Sequence, residues 1–197
     1  MRNTGKSKNT IQNTKKNIIE IARGLFSEFG YLGVSMEDIA KKLNITKAAL
    51  YYHFSSKREI YKKVLDEVFK NLTRTIAQAL KENTVDKKLQ KLIKNYLSFN
   101  LKEKNLIRAL MLKLPPKENE LTKHILQLRK QIINLIQPLI EEITIKKRIN
   151  KKIDSKLLAS ILLGIMDGLV LEYSFLNKKL NLSKISKEIF AILFNYG

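Results

Sequence analysis

Residues Ser35–Lys57 read Ser-Met-Glu-Asp-Ile-Ala-Lys-Lys-Leu-Asn-Ile-Thr-Lys-Ala-Ala-Leu-Tyr-Tyr-His-Phe-Ser-Ser-Lys, two short helix patterns joined by a tight turn. Ser35 and Asp38 make a helix-start signature, in which the hydroxyl accepts from a free N–H and the acid faces the positive helix end. Met36, Ile39, Ala40 and Leu43 follow at helical spacing and are predicted to face inward. Asn44 takes the turn, because it tolerates left-handed backbone better than most non-glycine residues. Thr46 caps a second helix that ends near Phe54, with Ile45, Leu50 and Phe54 as its core anchors. This layout predicts a helix-turn-helix, whose second helix enters the major groove of DNA.

That second helix carries the candidate chemistry. Lys47 places a cation in the first turn, against the helix dipole, which makes sense where an anion docks at the helix start. In a chain this rich in lysine, the residue is equally explained by abundance. Tyr51, Tyr52 and His53 set three polar-tipped rings side by side, so they cannot all face the core. Outward-facing rings of this kind donate to phosphates and stack on sugars or thymine methyls. Lys57, in the first turn of the next helix, lies near the same surface.

On the N-terminal side, Ile18, Ile21, Ala22, Leu25, Phe26 and Phe29 form one apolar stripe, predicting a helix over 14–29. Gly30 stops it as a left-handed cap, and Tyr31 packs back on its last turn. Residues 1–10 lack apolar periodicity and read as a flexible tail without a signal peptide. On the C-terminal side, Ser56 and Glu59 form a second capping box, opening a helix to about Leu80. Further helices are predicted over 85–99, 104–114, 118–147, 155–175 and 183–196. Pro115-Pro116 ends one of them, and Pro138 is expected to kink or split another. No strand alternation or internal repeat is visible.

Composition narrows the function classes. The chain has 197 residues, no Cys, seven Gly and three Pro, which argues against a disulfide framework, a thiolate nucleophile and a turn-rich β protein. Two His and no clustered acid–base set point away from an enzyme, and no metal site is indicated. The net charge of +20 suits nucleic acid or an anionic membrane. Residues 1–65 hold +8 of it and the remainder +12, so the charge is spread through the chain rather than gathered into a patch. The apolar run Leu157–Leu171 is too short for a membrane span, which needs about 20 residues, and reads as a helix buried from several sides. Gly164 and Gly168, four apart on one face, suit a close helix–helix approach, either at a subunit interface or within one subunit.

Helices 1 to 4 resemble the TetR family of bacterial transcriptional repressors. The resemblance rests on Ile21-Ala22, Leu25-Phe26, Gly30-Tyr31, Ser35 through Ala40, and above all Lys47-Ala48-Ala49-Leu50-Tyr51-Tyr52-His53-Phe54 followed by Lys57. It implies an all-α homodimer with a three-helix helix-turn-helix DNA-binding domain over 1–56 and a larger helical ligand-binding and dimerisation domain over 57–197. Carried over by position, Ser35, Thr46, Lys47, Ala48, Tyr51, Tyr52, His53 and Lys57 fall at DNA-contacting places. Ala48 stands where many relatives have Gly, Ala49 where some have a polar base-reading residue, and Asn44 where Gly is common.

The resemblance also implies a small-molecule inducer and no cofactor. The candidate pocket residues are Tyr96, Phe99, Met111, His124, Leu128, Met166, Asp167 and Tyr173, which mix aromatic, flexible and polar character; plain core is the competing reading of each. The implied protein is a cytoplasmic, ligand-responsive regulator, a repressor on a near-palindromic operator. A regulator without an inducer, an activator and a basic membrane-surface protein are the other readings.

Overall fold

A computed structural model describes residues 4–112, 119–146, 154–176 and 180–194, with side chains excepted at 4–10 and 110–112. Every element among them is a helix: α1 (Thr4–Phe29), α2 (Met36–Lys42), α3 (Lys47–His53), α4 (Lys57–Ala79), α5 (Val85–Lys102), α6 (Lys104–Leu112), α7 (Asn119–Lys146), α8 (Ser155–Phe175) and α9 (Leu182–Phe194). The all-α expectation holds. The chain forms two compact units, one of Met1–Val68 with Asn105–His124, the other of Phe69–Lys104 with Ile125–Gly197.

In the first unit α1 packs on α2 and α2 on α3. Ile18, Ala22 and Phe26 give α1 its buried edge, joined by Ile19. Phe29, predicted to belong to that stripe, is half-exposed instead, at the last residue of the helix. Gly30 (φ 72°) turns the chain left-handed, and its N–H closes onto the Phe26 carbonyl at 2.9 Å. Tyr31 then folds back, its ring 6.3 Å from Phe26 and 5.0 Å from Tyr61 of α4, while Phe26 and Tyr61 meet edge to face at 4.8 Å. These three rings lock α1 to α4.

Tyr61 is fully buried, and its hydroxyl has no hydrogen-bond partner among the described residues. Burial pushes the phenol far above its ordinary pKa. Tyr61→Phe should therefore raise stability by about 1–2 kcal/mol, since it removes a desolvated polar group while keeping the ring. A higher urea midpoint at unchanged slope is the expected reading.

Several expectations need correction. α1 starts at Thr4 rather than Thr14, so residues 4–10 extend the helix instead of forming a tail. Propagating an existing helix needs no new nucleus and no apolar stripe, so hydrophobic periodicity under-reports its length. The second capping box is shared. Ser56 Oγ accepts from the Glu59 N–H (3.2 Å), but the reciprocal bonds to Glu59 Oε2 come from the N–H and hydroxyl of Ser55, both at 2.8 Å.

Pro138 does not split α7. Both it and Asn134, whose carbonyl it leaves without a helical donor, face solvent, where water can serve that carbonyl. α5 continues to Lys102. The predicted ends at Leu114 and Tyr196, and Pro115-Pro116, lie outside the described residues.

In the second unit α5 packs against α8 and α9. Leu89, Leu92, Ile93 and Leu97 of α5, Ile132, Ile136 and Ile140 of α7, and Leu162, Leu163 and Met166 of α8 supply its core. α8 departs from the reading of a helix enclosed on several sides. It is long and apolar enough to cross a membrane, yet only 33% of its apolar stretch is buried. Leu157, Ile161, Gly164, Gly168 and Phe175 lie open along one face, and a Cβ at either glycine would meet nothing within 4 Å.

Candidate functional site

α3 is positioned by its ends and by one side chain. Thr46 caps it, Oγ accepting from the Ala49 N–H at 3.1 Å. Leu50 alone of its residues is buried, and Phe54 follows it into the core at the C-cap. The preceding turn is made by Asn44 at φ 55°, in the left-handed region expected of it. Leu50 thus pins the helix while Thr46, Lys47, Ala48, Ala49, Tyr51 and Tyr52 all face solvent. Tyr52, 77% exposed, stands farthest out. His53 is half-buried behind it, the two rings edge to face at 5.2 Å, with His53 Nδ1 sealed from solvent.

The first turn of α3 is cationic and its neighbour acidic. Lys47 Nζ lies 4.0 Å from Glu37 Oε2, both side chains more than half exposed. Such a pair is worth under about 1 kcal/mol, so the ammonium can be given up to a phosphate.

Ser35 is exposed but committed. Its Oγ accepts from the Asp38 N–H (3.1 Å), and its hydroxyl and N–H both donate to Asp38 Oδ2 (2.6 and 2.8 Å). These bonds hold the Asp38 carboxyl below its ordinary pKa, and the Ser55 bonds do the same for Glu59. Both folded pKa values being depressed, the caps contribute fully above the ordinary carboxylate range near pH 4 and are lost as pH falls below it. Thermal unfolding followed from pH 6 to 3 should show this acid slope, and Asp38→Asn with Glu59→Gln should flatten it.

Lys57 is engaged at the start of α4. Its Nζ donates to the Tyr31 carbonyl at 2.8 Å and sits 4.4 Å over the Tyr31 ring, tying the start of α4 to the turn after α1. Lys15 of α1, which sequence reasoning passed over, lies 5.6 Å over the ring of Phe54 at the end of α3. Nothing in a lysine-rich helix start marks it out.

Of the candidate pocket residues, the structure brings Tyr96, Leu128 and Met166 into the interior of the second unit and leaves Phe99, Asp167 and Tyr173 part-buried there. His124 belongs to the first unit, with Nε2 2.7 Å from Asp66 Oδ1. The side chain of Met111 lies outside the described residues. Asp167 is held from two helices: the Tyr96 hydroxyl of α5 donates to Oδ1, and Arg129 Nη1 of α7 donates to Oδ2. Burial, then the Asp167 carboxylate, drive the Tyr96 phenol well above its ordinary pKa. Asn100, also buried, donates to the Tyr96 carbonyl at 2.9 Å. Arg129 was missed, although a signal existed. It lies four residues after Ile125 and three before Ile132, beside the apolar stripe of α7.

A short capped helix, pinned by one leucine and presenting lysine, threonine and tyrosine outward, defines a helix-turn-helix DNA-binding protein. Residues 18–64 match the family described as bacterial regulatory proteins, tetR family, and residues 61–196 match the YsiA-like protein, C-terminal region. The chain belongs to the TetR family, and it is a transcriptional regulator of that family.

Among similar curated proteins is the biofilm operon icaADBC HTH-type negative transcriptional regulator IcaR of Staphylococcus epidermidis, 51% identical over 55 residues, a match covering 28% of this chain and 30% of IcaR. The match thus spans under a third of that relative's length. Two solved structures share the fold over nearly the whole chain. The fatty acid degradation regulator FadR from Bacillus halodurans has TM-score 0.79 and 22% identity, covering 92% of this chain and 95% of that one. FadR from Bacillus subtilis in complex with stearoyl-CoA has TM-score 0.76 and 22% identity, covering 90% and 96%.

Proposed function

We propose that this protein is a cytoplasmic, ligand-released repressor that binds a near-palindromic operator as a homodimer. The observation that carries the reading is the outward face of α3, where Thr46, Lys47, Ala48, Tyr51 and Tyr52 crowd onto a helix anchored by Leu50 alone. Residues 1–56 serve as the DNA-binding domain, with Ser35, His53 and Lys57 supporting that face. Residues 57–197 take up ligand and dimerise, through the open α8 face at Gly164 and Gly168. Dimerisation sets two α3 helices about 34–36 Å apart, one turn of DNA. Repression follows the description of IcaR as a negative regulator. The stearoyl-CoA held by the B. subtilis FadR makes acyl-CoA the first inducer class to try.

Control is allosteric. An inducer with higher affinity for a conformation in which α4 and α6 are shifted draws the dimer away from DNA; only differential affinity for the two states drives this. Footprinting on the DNA upstream of the protein's own coding region, with and without acyl-CoA, tests it. Protection of two half-sites one turn apart, lost on adding ligand, is expected. Protection unaffected by ligand removes the inducer from the account, and no protection anywhere removes the operator.

Lys47 gives a finer test. Lys47→Ala should weaken binding similarly on all DNA sequences and make the salt dependence shallower by about one unit of slope. An unchanged slope in a fluorescence-anisotropy salt series would take Lys47 off the phosphate-contacting set.

A further inference from the structure

Phe29 and Leu32 are held outward on a turn that is itself fixed. The Gly30 N–H closes on the Phe26 carbonyl at 2.9 Å, Tyr31 and Val34 on either side are buried, and a Cβ at Gly33 would stand 2.5 Å from the Phe29 carbonyl oxygen. A turn anchored at these points does not expose its side chains by fraying. Phe29 is nevertheless 48% exposed and Leu32 65%. Phe29 also lines an open groove of about 540 Å³ with Leu25, Gly33 and Val34.

The opposite wall of that groove is the outer face of α2, formed by Asp38, Lys41 and Lys42. The Asp38 carboxyl is engaged by the N–H and hydroxyl of Ser35. Lys41 and Lys42 are exposed, and neither ammonium has a carboxylate in ion-pairing reach among the described residues. The groove thus sets an apolar wall against a cationic one. DNA would use the lysines and leave the apolar wall wet. A second copy of this chain, at +20, brings the wrong net charge. A segment with bulky apolar side chains flanked by acids satisfies both walls.

We propose that this groove is a docking site for an acidic amphipathic helix of a partner protein. Its apolar side chains seat against Leu25, Phe29 and Val34, and its carboxylates meet Lys41 and Lys42. No residue of α3 lines the groove, so the docked helix touches α1, the turn and α2 and leaves the outward side chains of α3 free. This surface is separate from any ligand site of the second unit and does not depend on one.

Fluorescence anisotropy with the full-length protein tests it, at about 0.15 M salt to screen the charge of the rest of the chain. The probe is a helical peptide of about 15 residues, with Phe and Leu one helical turn apart and flanked by Glu. One counterpart has Gln for every Glu, and another has Ala for Phe and Leu. The acidic amphipathic peptide should bind about 3- to 30-fold more tightly than the Gln form, the worth of two exposed ion pairs. It should bind more than about 10-fold more tightly than the Ala form. Lys41→Ala with Lys42→Ala should reduce it to the level of the Gln form. Lys94→Ala with Lys130→Ala, which removes the same charge from exposed positions elsewhere, should leave it unchanged. Phe29→Ser with Leu32→Ser, at exposed positions, should abolish the preference over the Ala form.

Equal binding of the acidic amphipathic and Ala peptides would mean attraction to net charge alone and overturns the proposal. So does full affinity in either groove variant, or no binding by any of the peptides. Self-association of the protein alone that Phe29→Ser with Leu32→Ser dissolves would give the groove to a second copy, and overturns it as well.

Discussion

Gly168→Leu should give a folded protein that sediments as a monomer and binds operator about 100-fold or more weakly. The glycine stands on the open face of α8, and a Cβ there meets nothing within 4 Å, so a larger side chain has room within one subunit. Between the two subunits of the proposed dimer the same side chain would force apart helices that glycine lets approach. The loss of DNA affinity then follows from linkage. Two half-site contacts made by one dimer act at high effective concentration, and separate monomers forfeit that advantage of about 10²–10⁴. Gly24→Leu is the control, because that α1 position is equally open and should leave the sedimentation coefficient of the dimer unchanged. A Gly168→Leu dimer would move the subunit contact to another surface.

Leu50→Ala should be the most damaging single substitution for DNA binding that touches no DNA. Leu50 is the only residue of the seven in α3 that is buried, and truncating such a leucine costs about 2–5 kcal/mol. In a helix this short, with little intrinsic stability, the cost falls where the DNA-reading surface is assembled. Denaturant unfolding should show the first unit melting early, and mobility shift should show operator affinity largely lost. Full operator affinity with an unchanged unfolding curve would mean that the caps at Thr46 and Phe54 hold α3 unaided.

The helix-turn-helix was legible in the sequence because each of its devices is local. Ser35 with Asp38, Asn44 at the turn, Thr46 as cap and Gly30 as stop are chosen by backbone demands within a few residues, and each sits where those demands place it. Exposure of Tyr51 and Tyr52 was legible by exclusion, since three adjacent rings exceed the inward face of one short helix. The contacts that the sequence did not announce are non-local. The turn of Lys57 toward Tyr31 depends on a carbonyl 26 residues away. The pairing of Arg129 with Asp167 spans 38 residues, and that of Tyr96 with Asp167 spans 71.

Hydrophobic periodicity also misjudged both extremes of polarity. It overlooked Thr4–Thr10, which lengthen α1 without an apolar stripe, and it over-enclosed α8, whose apolar residues encircle the helix while one face is exposed among the described residues. A stripe reports what a helix is able to bury; it does not report whether a neighbour arrives.

Ala48 and Ala49 stand outward on α3 with only a methyl each. A side chain lengthened there projects into solvent and disturbs no packing, so, on the proposed docking of α3 against DNA, exchanging Ala49 for Gln, Asn or Arg would add a base-reading group and leave folding alone. On that docking a single codon suffices to change the promoter addressed, and a family built on this plan is free to diversify its regulons faster than its scaffold.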